Sequence, residues 1–320
     1  ETVRRRSQFL MIVETVPGAL AGERLDRIVA LMLDVSRSVA VAVVEAGGVV
    51  VDGEPATSGK VRLVEGQQVV ADPRAVPTEQ PPQPDDSVEF GVIHEDDHII
   101  VIDKPAGLVV HPGAGNPDHT LVNGLLARYP EIAGVGEQIR PGIVHRLDAG
   151  SSGLLVVART QQAAEMLMAQ FASHHATRAY LALVWGHPEA PHGMIDAPIG
   201  RSRRDPLRMA IVADGRRSRT EYRVLDRFDS PAELALLQCN LETGRTHQIR
   251  IHLSSINHPL VGDPVYGQRR PKLQLDRPFL HAVELVFDHP DTGEAVTFRS
   301  DLAPDLADRL STLRRVEPDA

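Results

Sequence analysis

The residues best suited to chemistry lie in three short segments. Gly142-Ile-Val-His145-Arg146-Leu147-Asp148-Ala-Gly-Ser-Ser-Gly153 sets a charged cluster between an apolar run and a Gly/Ser turn. The turn leads into Leu154-Leu-Val-Val-Ala158, which reads as a buried strand. A carboxylate at such a junction is held at the rim of a core, where it could act as nucleophile or base. Local pattern alone favours a plainer role, in which Asp148 closes its own turn. Arg178-Ala-Tyr180-Leu-Ala-Leu-Val-Trp185 reads as a strand with an amphipathic tyrosine on its rim. In Glu242-Thr-Gly244-Arg245-Thr246-His247-Gln-Ile-Arg250, Gly244 ends a strand and Thr246 is the expected cap of a helix from His247 onward. Arg245 then stands at a strand-to-helix junction, within reach of a neighbouring carboxylate or simply at the surface.

Other chemistries are not written in the chain. It has no Gly-rich loop with a phosphate-binding Lys, no GxGxxG after a strand and no HExxH helix. Of the 14 histidines, His174 and His175 are adjacent and diverge on a helix, and His247 and His252 are five apart, a poor spacing for a shared face. The single cysteine, Cys239, allows neither an internal disulfide nor a Cys-based zinc site. No metal and no cofactor, nucleotide or otherwise, is expected. No apolar run approaches the roughly 18 residues of a membrane span. With one unpaired cysteine, a cytoplasmic protein with no membrane partner is expected.

These segments need a scaffold, and the hydrophobic patterning supplies one. Residues 1–21 carry Arg4, Arg5 and Arg6 and no long apolar stretch, and are expected to be a flexible N-terminal extension. Residues 22–72 read as one small α/β module. Leu25, Ile28, Val29, Met32 and Leu33 share a helix face; a second helix starts at Ser36 or Ser38 and stops at Gly47-Gly48. Two strand pairs follow, the first turning at Asp52-Gly53. Residues 73–87 hold five prolines and form the expected linker, stiff and extended. Residues 88–315 alternate aliphatic runs with a few helices, without a regular βαβ rhythm. This predicts a mixed α+β domain with a mainly antiparallel sheet.

The net charge of −9 argues against a phosphate-rich partner, but its distribution does not. Between Arg201 and Arg223 stand eight arginines against three acids, a local charge of +5. Arginine suits bidentate phosphate contacts, and Arg216, Arg217 and Arg219 are the candidate grip on an RNA backbone.

At these segments the chain resembles the RluA family of pseudouridine synthases, and within it the RluD branch. HRLDAGSSGLLVVAR is similar to the family signature HRLD-x-x-TSG, with Ser151 where Thr is usual. ETGRTHQIRIHL is similar to its arginine-bearing motif. DKPAGLVVHPGAGNPDHTLVNGLLARYP and HPLVGDPVYG also resemble family segments. Residues 22–72 resemble the S4 domain, an RNA-binding module. The resemblance departs in the second helix, where Val39, Ala40, Val41 and Ala42 replace the usual polar or basic residues.

The resemblance implies a catalytic Asp148, an active-site Tyr180, and an Arg245 that pairs with the aspartate. It implies that Arg146 helps open the RNA stack, with His145, Leu147 and Arg178 also at the substrate. The reaction breaks the N1–ribose bond of uridine, turns the base and rejoins it through C5. It is an isomerisation that needs no cofactor. Asp148 would serve as nucleophile at the sugar, or as stabiliser and base in a glycal route; the sequence does not choose. The target uridine must leave the stack to be reached. The implied partner is RNA, either ribosomal RNA or a pre-ribosomal large subunit, and the expected state is a monomer. Rival readings are a catalytically silent RNA-binding protein, an Asp-nucleophile hydrolase, and another RluA-type enzyme whose target is transfer RNA. The second lacks a partner acid near Asp148.

Overall fold

The computed structural model describes residues 11–35, 37–76, 81–113, 115–205, 208–267, 273 and 275–316. The chain divides into two compact units, Glu1–Gln80 and Pro81–Ala320.

In the first unit, strand β1 (Ile12–Thr15) is followed by helices α1 (Leu25–Leu33) and α2 (Arg37–Glu45). Strands β2 (Val49–Val51), β3 (Glu54–Pro55) and β4 (Gln68–Ala71) complete an antiparallel sheet in the order β1-β4-β2-β3. Leu25, Ile28 and Val29 of α1 and Val43 and Val44 of α2 bury against Val49, Leu63, Val69 and Ala71. The apolar helix stripe read from the sequence is thus the core face. Asp52 and Gly53 take the positive φ values, 51° and 88°, of the expected tight turn.

Two boundaries need correction. Ile12 to Thr15 pair with Ala71 to Gln68, and Val16 is buried in the core. The module therefore begins before residue 22. Four alternating residues ahead of the first helix were too short a pattern to mark a strand. The linker also divides. Asp72 caps a single turn at Pro73–Ala75, whereas the Asn123 side chain donates to the Gln83 carbonyl (2.7 Å) and the Asp85 amide donates to the Asn123 carbonyl (3.0 Å). Residues 83–87 are thereby tied to the second unit. Residues 1–10, Ser36 and 77–80, which carry parts of the expected extension, helix start and linker, lie outside the described residues.

The second unit is built on a ten-stranded sheet. Its first elements are β5 (Gly91–Glu95), β6 (Ile99–Lys104), α3 (Leu121–Arg128), β7 (Ser152–Ala158), α4 (Gln161–Ala172) and β8 (Thr177–Trp185). There follow β9 (His192–Asp196), a separate hairpin of β10 (Ile199–Arg201) and β11 (Met209–Ile211), β12 (Arg219–Ser230), β13 (Leu234–Leu241) and α5 (Gln248–Ser255). The last are β14 (Leu280–Asp288), β15 (Ala295–Arg299), α6 (Pro304–Ser311) and β16 (Arg314–Arg315). The main path runs β16-β12-β13-β8-β14-β7-β6-β5, with β15 on β14 and β9 on β12. Among the described residues every pairing is antiparallel except β7 with β14, so the mixed α+β reading holds. The sheet is buried on both faces at its centre, where every residue of β7 is buried. Along β8, Tyr180, Ala182 and Val184 join one apolar cluster while Leu183 and Trp185 join another, as alternation on a strand requires. The long β12 was not read from the sequence, because RTEYRVLDRFDS carries charges on one face.

The centre of this sheet positions the loop before β7 next to β8, with β14 between them. Ala282 of β14 stands opposite Gly153 on one side and Tyr180 on the other. Gly153 has φ of 106°, and a Cβ there would sit 2.3 Å from the Ala282 carbonyl oxygen. Only glycine lets the strand leave the Asp148 turn this close to its neighbour.

Candidate active site

Asp148 lies in the turn that feeds β7, its side chain 16% exposed. Beneath the turn is Lys104 at the end of β6, fully buried. Its ammonium donates to the carbonyls of Pro105 (2.7 Å), Leu108 (2.8 Å) and Ala149 (3.3 Å). The last of these is the residue after Asp148, so the lysine acts as a strut under the carboxylate. Burial pushes Lys104 down to about 7, against the upward pull of Asp148. A lysine shifted down from 10.5 is protonated in the unfolded chain but not in the fold between about pH 7 and 10.5. Fold stability therefore rises with pH across that window. Replacing Lys104 with Met should remove this slope, read by urea unfolding at several pH values. It should also cost about 3 kcal/mol or more at pH 7, because buried carbonyls lose their donor.

The guanidinium beside Asp148 belongs to Arg250. Its Nη1 lies 3.5 Å from Asp148 Oδ2. Its Nε and Nη2 form a two-point contact with Asp263, at 2.7 and 2.9 Å. Asp263 Oδ1 in turn accepts from the amides of Val265 (2.9 Å) and Tyr266 (3.1 Å). The Tyr266 ring packs against the guanidinium, 5.2 Å from its centroid. Arg250 is thus locked by Asp263, with one edge left for Asp148. The pairing expected of Arg245 is not made: its Nε donates to the Arg217 carbonyl at 3.3 Å. The physical reason is the helix start. His247 takes a left-handed conformation (φ 58°) ahead of Gln248, without the Thr246 cap. No side chain caps this helix start; Gln248 instead ties it back to the preceding loop, its Oε1 accepting from the Arg245 amide (3.1 Å) and the Thr243 hydroxyl (2.7 Å). Arg245 is left outside the helix, while Arg250 points inward, 6% exposed.

Tyr180 is 4% exposed and lies with Asp148, Arg178, Leu147, Ile249 and Leu280 around a narrow slot of about 40 Å³. Burial raises its phenol pKa, so the hydroxyl is protonated at neutral pH. The slot holds only a few water-sized spheres. A pyrimidine ring needs more room than this, so the slot must widen to admit one; Arg146, Arg245 and His247 complete its lining. A much larger cavity, about 1390 Å³, opens between β5, α3 and the start of α6, but Asp148 does not line it.

The other expected contacts separate. Arg146 is exposed at the rim, its Nη1 3.5 Å from His111 Nε2. Leu147 forms wall and core at once. Arg178 is a buried part of the wall, its guanidinium 5.1 Å from the Phe171 ring, rather than a surface grip. His145 does not face substrate. Its Nε2 accepts from the Val156 amide (3.0 Å), it packs on Phe171 and burial lowers its pKa to about 3, so it is a neutral core residue. In HRLD alternate side chains turn inward, which sends His145 and Leu147 one way and Arg146 the other. Arg216 and Arg217 are exposed, but Arg219 is spent on Asp196 (3.1 Å) and Glu242 (2.7 Å) and does not belong to a free phosphate footprint. Arg250, Asp263, Lys104 and His247 were not assigned from the sequence. An arginine inside the apolar run Gln-Ile-Arg250-Ile-His-Leu was the available signal, since buried arginine demands a carboxylate. Among the described residues, no group of three or more His, Cys, Asp or Glu could hold a metal ion, and no helix is long and apolar enough to cross a membrane.

Comparison with known proteins meets this geometry. Residues 98–255 match the RNA pseudouridylate synthase family, and residues 23–69 match the S4 domain. An RNA pseudouridine synthase of Chloroflexus aurantiacus is 49% identical over 92% of this chain and 91% of its own length. Ribosomal large subunit pseudouridine synthase D of Nitrosomonas europaea is 44% identical over 94% of this chain and 88% of its own. The solved structure of human RNA pseudouridylate synthase domain containing 1 superposes with a TM-score of 0.58 at 26% identity, covering 73% of this chain and 91% of that one. With an S4 domain ahead of a second unit whose turn, strand and helix bring Asp148, Tyr180 and Arg250 to one slot, the chain belongs to the RNA pseudouridine synthases, an isomerase family.

Proposed function

We propose that this enzyme converts specific uridines of large-subunit ribosomal RNA to pseudouridine, with Asp148 as nucleophile on an extruded nucleotide. The observation that carries the proposal is the Asp148 carboxylate, partly exposed at the slot, 3.5 Å from an arginine that Asp263 holds in place. An adjacent guanidinium fixes the direction of the carboxylate. Asp148 attacks C1′ of the ribose and the N1–C1′ bond breaks, leaving the uracil anion. The base turns, C5 attacks C1′ and displaces Asp148, C5 loses its proton and N1 gains one. Tyr180 offers a flat wall for the detached base. Leu147 and Ile249 keep water from the sugar–enzyme ester, which would otherwise hydrolyse.

Ribosomal RNA is the favoured substrate because relatives named for the large ribosomal subunit match over most of the chain, at 44% and 43% identity. The uridine must leave its stack to enter, at a cost of a few kcal/mol. Arg146, exposed at the rim, is placed to fill the vacancy. The test is modification mapping of ribosomal and transfer RNA from cells with and without the gene, rescued by wild type or by Asp148→Asn. Loss of a large-subunit pseudouridine, restored only by wild type, is the expected result. A site lost from transfer RNA alone rejects the ribosomal substrate.

The phosphate footprint reduces to Arg216 and Arg217. Changing both to Ala should weaken RNA binding and lower the slope of log K against log salt by about 2. Titrations at several salt concentrations measure this, and an unchanged slope removes the two arginines from the interface. Arg219→Ala should leave the slope nearly unchanged.

A further inference from the structure

We propose that His247 reads the uracil ring, donating its Nε2–H to a ring carbonyl oxygen before and after the base turns. The inference rests on the slot being the pseudouridylation site. His247 lines that slot with Asp148 and is held from behind by Tyr266, at 2.9 Å between Nδ1 and the phenol oxygen. That phenol oxygen already accepts from the Met209 amide at 3.3 Å. An amide can only donate, so the single hydroxyl hydrogen of Tyr266 is free to go to His247 Nδ1. The ring hydrogen of a neutral histidine then sits on Nε2, since the partner of one nitrogen sets the state of the other. Burial, with Arg250 and Arg146 adding to it, lowers the imidazole pKa against the pull of Asp148 and Asp263. With the Tyr266 hydroxyl donating to Nδ1, the arrangement the proposal takes, the edge left for the slot is a donor.

A donor at this place suits the reaction. Exchanging N1 for C5 at the ribose turns uracil by half a revolution about its N3–C6 axis. That turn also exchanges O2 with O4. One fixed N–H donor therefore meets a carbonyl oxygen in both orientations. Cytosine would present its amino group in one of them, donor against donor, and a site built around a hydrogen bond rejects such an analogue strongly. His247 holds its left-handed backbone at the head of α5, directly ahead of Gln248, which is itself tied to Thr243, Thr220 and the Arg219 carbonyl. The ring is therefore held at Nδ1 by Tyr266, and its backbone by the head of α5.

The test uses the full-length enzyme and a ribosomal RNA stem-loop carrying a uridine that the wild type modifies. It compares uridine with 2-thiouridine and 4-thiouridine at that position, since sulfur is a poorer acceptor. Wild type should lose about 10-fold or more in kcat/KM on at least one thio-substituted RNA. His247→Ala should lose about 10- to 100-fold on the uridine RNA and no longer distinguish the three. His247→Gln, whose amide can donate from a similar place, should recover most of the rate and the preference. A His247→Ala enzyme that penalises sulfur as wild type does, or a wild type indifferent to both sulfurs, overturns the proposal. If His247→Ala does not fold, His247→Gln decides: loss of the sulfur preference there also overturns it. A wild type that forms no pseudouridine in large-subunit RNA overturns the substrate reading as well, and is scored separately.

Discussion

Asp148→Asn should reduce pseudouridine formation by roughly 10⁴-fold or more in kcat, because it deletes the proposed nucleophile while keeping its shape. The fold should survive. Asp148 is partly exposed and its contact with Arg250 is the longer one, at 3.5 Å, while the Arg250–Asp263 pair at 2.7 Å is untouched. RNA affinity should change little, because phosphate contacts dominate it. Single-turnover assays with RNA labelled at C5 of uridine measure the chemistry, and binding titrations measure the rest. An Asp148→Asn enzyme that retains even a hundredth of wild-type turnover would remove Asp148 from the covalent step.

Arg250→Ala is the second large effect, and it should strike stability and catalysis together. Asp263 is fully buried at its side chain and would keep its charge without a partner. Breaking a buried ion pair from one side costs about 3–5 kcal/mol. Turnover should also fall, by about 10²- to 10³-fold, as Asp148 loses the group that directs it. Arg250→Lys should recover part of the stability but not the two-point contact with Asp263, and so less of the rate. Arg245→Ala is the control, since its guanidinium meets a carbonyl rather than Asp148. It should stay near wild-type stability. Urea unfolding and single-turnover rates on the three variants separate these outcomes. Equal losses at 245 and 250 would contradict the geometry.

The fold was legible where hydrophobic period and turn chemistry agreed. SGLLVVA became the fully buried β7, QQAAEMLMAQFA became α4, and the core stripe of α1 was read residue by residue. Asp148 and Tyr180, which line one slot, were assigned from segments whose order along the chain carried the resemblance. The failures share a cause: they concern which of two nearby residues faces inward. Arg245 and Arg250 are both arginines of one motif, and the choice between them turned on a left-handed residue at His247 that removed the expected helix cap. His145 and Arg146 likewise differ by one step along an extended chain, which reverses the direction of the side chain. Lys104 was invisible because its partners are backbone carbonyls that no sequence pattern displays.

The pairing of β7 with β14 sets a condition on how the enzyme can be cut or shuffled. Asp148, Tyr180 and Arg250 all fall before residue 256, within one contiguous stretch. Yet Tyr180 and the Asp148 turn become neighbours through a strand at Leu280–Asp288, and Arg250 is anchored by Asp263. A fragment that ends at 255 would carry all three of these side chains and still lack an organised centre. Chain growth would likewise deliver these side chains before the architecture, so that competence arrives only once the strand at Leu280–Asp288 has been made.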